Sequence, residues 1–379
     1  MSAIRFIFPI DGDCVNSRDG EIRAGVLYLP VTVSAPADHA VFIGGIRAAY
    51  SEGFWHADVP VSGYRNTVCA EDRTSGDSSR IAVYRMPGAE GHFRLSSDDN
   101  ILFLADITAH AEEYSSIFDN PYLAVYKKAH DLYGAKVHLN LFYEFVPTAR
   151  FSDPGREYFN LSMMTDKFKA EFKANSDWLK LAFHADAEFP DRPYKDATAE
   201  KITEDCVKVC REIIRFADVS CISDSTTVHW GEANRECVRA LRALGFRSLT
   251  GYFERTGSGA PLVAYYTDGA LLDHIGERDF FVDTAEDMLF GRIDLVLNTG
   301  SYERVMEEIG KIADHPHRSG FISVMIHEQY FYEDYKGYLP DFEARVLDVC
   351  AFLHSRGYTG AHICEATDEP HLRENVLLG

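Results

Sequence analysis

Residues 93–107 read FRLSSDDNILFLADI, and the pattern of the chain changes at this stretch. Before it, short alternating runs follow one another at intervals near ten residues, without any long helical pattern. After it, helical patterns alternate with short apolar runs. The stretch also carries two adjacent carboxylates, Asp98 and Asp99, directly after a short strand pattern. It therefore marks a domain boundary and raises the question of whether the pair is a turn or part of a site.

The residues before this stretch predict a small all-β sandwich domain. Runs such as RFIFPI, GVLYLPVTVSA and GFWHADVPV alternate apolar with other residues, and turn signals such as DGD and APADH separate them. This spacing is typical of antiparallel sandwiches. We therefore assign residues 1–92 to a first domain and residues 93–379 to a second.

The second domain repeats helix, glycine and strand patterns. Three helical patterns end at Gly134, Gly245 and Gly357, and a strand pattern follows each of them. Such alternation indicates a parallel sheet covered by helices. About seven strands fit a closed or nearly closed (β/α) barrel better than an open sheet, so the predicted fold class is α/β. No glycine-rich nucleotide-binding motif is found in the sequence.

The composition limits the classes of partner. Among 379 residues, 46% are hydrophobic, and 38 Lys and Arg stand against 59 Asp and Glu, for a formal charge of −21. Such a surface repels nucleic acid and anionic membranes but tolerates cations and neutral substrates such as sugars. The sequence shows neither a signal peptide nor an apolar stretch of membrane-spanning length. We expect a cytoplasmic protein with eight reduced cysteines, and the composition leaves a homo-oligomer open.

Polar residues at the ends of the predicted strands are the candidate functional groups. In a parallel α/β barrel, the functional side chains project from the carboxyl ends of the strands. The polar residues at these ends include Asp98, Asp99, His138, Asn140, Glu144, His184, Asp186, Glu188, His229, Glu232, Asp294, Asn298 and His327. One Asp and three His at four strand ends form a set typical of metal sites.

Each of these residues also has a purely structural explanation. The two aspartates could form an Asx turn or cap a helix. His184 could be a hydrogen-bonded core histidine, and His229 could pack beside Trp230. His327 could bond a neighbouring strand. The metal-site interpretation is favoured because all four groups would meet at one barrel rim.

The same residues resemble a known family. LSSDDN looks like the first motif of polysaccharide deacetylases of the NodB-homology, carbohydrate esterase-like type. AFHADAE resembles the second motif and VMIHEQ the fifth, while VHWGEANRECVRALRALGFR and RIDLVLN occupy the places of the third and fourth. The order and spacing agree along residues 93–365. The resemblance implies a distorted seven-stranded (β/α) barrel that binds one divalent ion and hydrolyses N- or O-acyl groups on sugars.

The resemblance also implies roles for individual residues. Asp98 would be the general base and His327 the general acid. Asp99 and His184 would bind the metal, and Zn²⁺ suits an Asp with two His. Because neighbouring strand residues point to opposite faces, both aspartates can face one ion only if the strand ends between them.

Three departures from the family pattern leave the third metal ligand open. Asn100 replaces the usual Gly of the first motif, Glu188 replaces the second His of the second motif, and the Arg of the third motif is absent. The third ligand is therefore Glu188 or His229. We favour His229, because a neutral imidazole preserves the Asp-His-His pattern and Glu188 lies in a proline-containing loop.

The remaining predictions concern the substrate and the first domain. Glu188, Trp230, Asp294 and Tyr330 are predicted to contact the substrate, and the aromatic rings could stack on sugars or simply pack in the core. The first domain resembles an immunoglobulin-like sandwich of the kind fused to carbohydrate enzymes, with packing as its expected role. The alternative to an acyl-sugar hydrolase is a catalytically silent protein of the same fold that binds carbohydrate or acts as a scaffold. A third interpretation keeps the site and changes the substrate to a non-sugar C–N bond.

Overall fold

The structure, a computed structural model, describes residues 4–367. Its first ten strands precede residue 86. They are β1 (Arg5–Phe8), β2 (Cys14–Val15), β3 (Glu21–Arg23), β4 (Val26–Ser34), β5 (Val41–Ile43), β6 (Ile46–Arg47), β7 (Ala49–Ser51), β8 (Phe54–Val61), β9 (Arg65–Asp72) and β10 (Ser78–Arg85). The alternation in the sequence sets the buried face of these strands. In β4, for example, Leu27, Leu29 and Val31 are buried, whereas the residues between them are not.

These strands form two five-stranded sheets. One has the order β1-β4-β8-β7 with β3 paired to β4, and the other has the order β2-β10-β9-β5-β6. Val31 and Val33 of the first sheet share one buried cluster with Val68 and Val83 of the second. The region is therefore a two-layer β structure. The likeness to an immunoglobulin domain and the boundary at residue 92 stay predictions.

Strands and helices alternate in the rest of the chain. The strands are β11 (His92–Asn100), β12 (Val137–Phe142), β13 (Glu144–Phe145), β14 (Phe159–Asn160), β15 (Leu179–Ala185), β16 (Ser225–Thr226), β17 (Ser248–Gly251), β18 (Glu254–Arg255), β19 (Pro261–Leu262), β20 (Phe280–Asp283), β21 (Met288–Arg292), β22 (Leu295–Val296), β23 (Phe321–His327) and β24 (Thr359–Gly360). The strand β12, which pairs with a neighbour on each side, is buried along its whole length, as expected of a parallel strand covered on both faces.

The helices are α1 (Leu102–Ala109), α2 (Pro121–Tyr133), α3 (Lys169–Ala174), α4 (Ala199–Phe216), α5 (Arg235–Ala243), α6 (Gly269–Ile275), α7 (Tyr302–Ala313), α8 (Phe342–Ser355) and α9 (Ile363–Ala366). The sequence sets the ends of α2: the Asn120 side chain accepts from Leu123 N at its start, and Gly134, with a left-handed φ of 66°, ends it as predicted. Across residues 4–367, none of the helices combines the length and the apolar character needed to cross a bilayer.

The strands of this α/β region belong to two main sheets rather than to one closed barrel. One sheet has the order β15-β12-β11-β23-β22, with β24 paired to β11, and the other has the order β16-β17-β21-β20. On one side of the gap between them, Ser223 N donates to Leu181 O (2.9 Å). On the other side, the chain crosses directly from β21 to β22. The predicted closure is not found in residues 4–367, because β16 and β22, with two residues each, are too short to continue a ladder across the gaps.

A further buried cluster joins the N-terminal sheets to the α/β region. Tyr84 and Met86, at the end of the first region, pack there with Phe280, Val282 and Phe321. This contact lies at the amino end of β23, because Phe321 is the first residue of that strand. The carboxyl ends of β11, β15 and β23 lie at the opposite end of the same parallel sheet. The N-terminal sheets thus pack away from the strand ends that carry the candidate site.

Candidate metal centre

Two β-bulges direct the candidate ligands towards one point. Opposite β12, β11 has one extra residue between Ser97 and Asn100, and Asp99 has a left-handed φ of 62°. Opposite the same strand, β15 has one extra residue at His184. A bulge re-aims a side chain that regular alternation would point away. Asp98 and Asp99 therefore both line one cleft, although the strand does not end between them as the sequence analysis required.

His184 and His229 are held in complementary tautomers. The Nδ1–H of His184 donates to the backbone oxygen of Thr227 (2.5 Å), and the Nε2–H of His229 donates to the backbone oxygen of Glu188 (3.1 Å). A carbonyl oxygen only accepts, so in the neutral rings the lone pairs lie on His184 Nε2 and His229 Nδ1. Carbonyl partners of this kind orient histidines that bind metals.

The two lone pairs meet the carboxylate of Asp99. His184 Nε2 lies 3.0 Å from Asp99 Oδ1 and 3.1 Å from His229 Nδ1, which itself lies 3.4 Å from Asp99 Oδ1. Three electron-rich atoms this close repel one another unless a proton or a metal cation lies between them. Donor atoms around a tetrahedral zinc ion lie about 3.3 Å apart. The donor set and its spacing therefore fit a divalent ion.

These side chains form the one cluster of its kind in residues 4–367, with possible ligand atoms all within 4.8 Å of one another. The two histidines are buried and Asp99 is nearly so, with exposed side-chain fractions of 9% for Asp99, 2% for His184 and 7% for His229. Burial alone would raise the pKa of Asp99, but hydrogen bonds with the two histidines hold that pKa well below its ordinary value. Burial alone would lower the pKa of His184, but the neighbouring carboxylates raise it. The site thus stabilises positive charge.

Asp98, the predicted base, lies beside this cluster and is oriented by a buried amide. Asn140 Nδ2 on β12 donates to Asp98 Oδ1 (2.6 Å). The other end of the amide is also fixed, because Asn140 Oδ1 accepts from Thr226 Oγ1 (3.1 Å) and pairs with His138 Nε2 (3.0 Å). The structure thus explains His138 as a support for Asn140, in agreement with the structural role expected from its position in mid-strand.

His327, the predicted acid, ends β23 opposite Asp98 in the strand ladder. Its Nδ1–H donates to Asn298 Oδ1 (2.9 Å), and its backbone N–H donates to the same oxygen (3.1 Å). These two bonds fix the ring and leave Nε2 as the nitrogen available to the cleft that His327 lines. A proton donor needs this arrangement, because the nitrogen that delivers the proton must be free of protein partners.

Glu188, the alternative third ligand, uses its carboxylate elsewhere. The carboxylate forms an ion pair with Arg150, and the Glu188 backbone oxygen orients His229. Burial and the negative charge of Asp99 raise the pKa of Glu188. The geometry therefore favours His229 over the Glu188 carboxylate as the third member of the cluster. Glu188 nevertheless lines the cleft, where the sequence analysis placed a substrate contact.

An open cleft lies above these groups. Trp230 and Tyr330, predicted to contact substrate, both line it, and Trp230 is 38% exposed. The turn that presents Trp230 has a left-handed φ of 65° at that residue and requires glycine at the next position. A Cβ on Gly231 would lie 2.2 Å from Val263 Cγ1. The cleft therefore combines charged groups at its base with an aromatic rim.

Asp294 does not reach the cleft, contrary to its predicted contact with the substrate. Its side chain is fully buried, with one oxygen accepting from Ser323 N (2.9 Å) and the other 3.4 Å from Arg292 Nε. Burial raises the pKa of Asp294 to about 6. Between β21 and β22 the chain points this carboxylate inward, and Asn298, four residues later, lies beside His327 instead.

Three residues of the site did not emerge from the sequence. Gln329 Nε2 donates to Asp99 Oδ2 (2.8 Å), and Arg150 and Tyr335 line the cleft. Gln329 follows His327 by two residues, so an extension of the motif at the end of β23 would have included it. Arg150 and Tyr335 lie in irregular segments, where no periodic pattern marks them.

Comparison with known proteins gives no family assignment. No protein-family model matches the chain, and no curated protein matches it. Among solved structures, the chain is similar to a peptidoglycan N-acetylglucosamine deacetylase at 9% identity, with 75% of this chain and 92% of that chain covered and a TM-score of 0.38. It is also similar to a CE4 family pseudoenzyme from Bacillus anthracis at 10% identity, with 80% and 84% covered and a TM-score of 0.33. A mutant of that pseudoenzyme with restored enzymatic activity matches at 12% identity, with 79% of each chain covered and a TM-score of 0.34. Likenesses at these TM-scores carry no argument about the chemistry of this chain, which rests on its own residues.

Proposed function

We propose that the protein is a metal-dependent, deacetylase-like hydrolase that removes an acyl group from a carbohydrate or a related acylated compound. The observation that carries the proposal is the convergence of Asp99 Oδ1, His184 Nε2 and His229 Nδ1 at 3.0–3.4 Å. Structural zinc sites are closed by four protein ligands, whereas catalytic sites keep a position open. Three ligands at the base of a cleft favour the catalytic type. We also propose that the two main sheets of the α/β region are an incompletely closed, distorted form of the deacetylase-type barrel.

The reaction follows from the groups around the cluster. A divalent ion held there would polarise the acyl carbonyl and acidify a water molecule. Asp98, oriented by Asn140, accepts a proton from the water whose oxygen bonds to the acyl carbon. His327 then gives its Nε2 proton to the leaving amine nitrogen or alcohol oxygen as the C–N or C–O bond breaks. The products are a carboxylic acid and the free amine or alcohol.

The substrate class rests on the cleft and on the charge of the chain. Trp230 and Tyr330 offer aromatic faces at the rim, which suit the apolar face of a sugar ring. A formal charge of −21 favours a neutral substrate over an anionic one. The acylated carbohydrate itself is inferred from the resemblance of the sequence motifs.

Metal analysis of two variants tests the division of roles. Zinc-loaded wild-type protein is expected to retain one ion per chain after desalting. His184→Ala should lose the ion, because it removes a ligand, whereas Asp98→Asn should keep it. Asp98→Asn should also lower turnover of 4-nitrophenyl acetate and of N-acetylglucosamine oligomers at least ~100-fold, because it removes the base. Elemental analysis and acetate release are the measurements.

The exposed acid variant Glu113→Gln serves as the control and should keep both metal and turnover. Equal loss of zinc in Asp98→Asn and His184→Ala would contradict the assignment of base and ligand. A wild-type protein that retains zinc but turns over neither substrate would favour the silent, carbohydrate-binding alternative.

A further inference from the structure

A second cavity opens beside the candidate metal centre. This recess, here called the side chamber, shares several lining residues with the main cleft. The residues that line both cavities are Asp99, Arg150, Glu188, Gln329 and Tyr335. Because Asp99 belongs to the candidate metal cluster, the side chamber adjoins the metal centre.

Most of the polar groups of the shared wall are paired with one another. Arg150 forms an ion pair with Glu188, and Gln329 Nε2 donates to Asp99 Oδ2 (2.8 Å). Asp99 Oδ1 is turned the other way, towards the two histidines. Within residues 4–367, Gln329 Oε1 is buried without a hydrogen-bond partner, so the wall keeps one free acceptor, whereas the charged groups of Arg150 and Glu188 are paired with each other.

The other walls of the side chamber are mostly hydrocarbon. They include Ile101, Leu102, Phe142, Phe145, Val146 and Phe151. Ile101, Leu102 and Phe142 are at most 6% exposed, so the inner end is built from the fixed core. Val146 is 54% exposed and marks an opening to solvent. An apolar recess with a closed inner end and a polar group at its entrance is a shape that accepts a hydrocarbon chain.

We propose that the side chamber holds the hydrocarbon chain of the substrate's acyl group, so that the protein prefers acyl groups longer than acetyl; this inference rests on the proposed hydrolase function. An acyl carbon next to Asp99 has two directions available to its substituents. The main cleft, with its aromatic rim of Trp230 and Tyr330, suits the sugar. The side chamber, with its apolar walls, suits the acyl chain. Each methylene moved from water into such walls strengthens binding about fourfold.

A series of alkanehydroxamates tests the inference through binding rather than turnover. These compounds share a head group that chelates divalent ions and differ only in chain length. Titration calorimetry of the zinc-loaded protein with the two-, four- and six-carbon members is expected to give affinities that rise about 16-fold per pair of methylenes.

One variant in the side chamber and one control outside it show where the hydrocarbon chain binds. Val146→Asp puts a charge at the exposed opening of the chamber without touching the buried core, so the dependence on chain length should flatten while acetohydroxamate still binds. Leu132→Asp, at a residue that is 59% exposed on α2 and lines neither cavity, should keep the wild-type dependence.

The outcomes separate this inference from the function on which it rests. A wild-type protein that binds zinc and acetohydroxamate but shows no gain with chain length overturns the side-chamber proposal alone. An unchanged gain in Val146→Asp overturns it as well, because the chain would then lie elsewhere. Failure to retain zinc overturns the proposed function and the inference together.

Discussion

Asn140 is the residue on which the position of the proposed base depends. Its Nδ2 donates to Asp98 Oδ1 (2.6 Å), and both residues are buried, so water has no access to replace the bond. Asn140→Leu keeps the approximate volume and removes the donor. We expect kcat for 4-nitrophenyl acetate to fall about 10–100-fold, the range seen for residues that orient a functional group, with KM and zinc content nearly unchanged.

The matched control is Asn66→Leu on β9, far from the cleft, which should leave kcat unchanged. A kcat of Asn140→Leu equal to that of the wild type would show that Asp98 does not need the amide. Loss of zinc together with kcat would instead assign Asn140 a role in holding the metal ligands.

Single residues also show what the sequence could and could not reveal. His184 and His229 were predictable as a pair, because each follows an apolar strand pattern. Their tautomers were not, because Thr227 and Glu188 determine them through backbone oxygens that carry no sequence signal. Gln329 contacts Asp99 across 230 positions of the chain, a pairing that only the folded sheet brings about.

At the scale of the element, the bulge in β11 decides whether two neighbouring carboxylates can work together. Regular alternation would point them to opposite faces, and the sequence analysis therefore expected the strand to end between them. The strand continues to Asn100, and the left-handed conformation of Asp99 provides the turn instead. A non-glycine residue with positive φ cannot be recognised from an Asp-Asp pair alone, because Asp is also common in turns.

The strain at this bulge gives a prediction about stability. Asp99→Ala and Asp99→Gly both remove the carboxylate, so they differ mainly in the cost of the backbone conformation. A left-handed φ destabilises the folded Ala variant by roughly 1–2 kcal/mol, whereas Gly adopts this conformation without strain. After the greater flexibility of Gly in the unfolded chain is subtracted, Asp99→Gly should be the more stable by about 1 kcal/mol. Urea unfolding of the metal-free variants measures the difference.

Ser78, an exposed residue of β10, provides the opposite case as a control. There Ser78→Ala should be more stable than Ser78→Gly, because an extended strand favours a residue with a side chain. If Ala and Gly at position 99 followed the same order as at position 78, the strain at Asp99 would be absent.

At the scale of the whole molecule, the helix and strand alternation predicted an α/β region, but not how its sheets meet. Strands such as β16 and β22 have only two residues, too few to give a periodic signal. The number of strands alone predicted a closed barrel, but closure also depends on the lengths and pairings of the strands, which the sequence does not show. The packing of the N-terminal sheets onto this region was likewise not determined by any local pattern, because Tyr84 and Met86 contact residues about 200 positions later.

The contact between the two regions includes a buried group of charges centred on Arg278. Arg278 Nη1 lies 3.0 Å from Asp19 Oδ1, and Arg278 Nε lies 3.5 Å from Asp13 Oδ1, with both carboxylates at most 2% exposed. Of the cationic partners in residues 4–367, Arg278→Met would leave only His274 beside Asp13 and His317 beside Asp19, and removing the one permanent cation of the group costs up to about 3–5 kcal/mol. Because the buried cluster beneath them belongs to both regions, we expect one calorimetric unfolding transition that moves as a whole to lower temperature.

The control is Arg356→Met, which breaks an ion pair with Asp314 at a side chain that is 43% exposed. This variant should shift the unfolding temperature little. Two separate transitions, of which Arg278→Met moved only one, would show that the N-terminal sheets unfold independently of the region that carries the candidate metal centre.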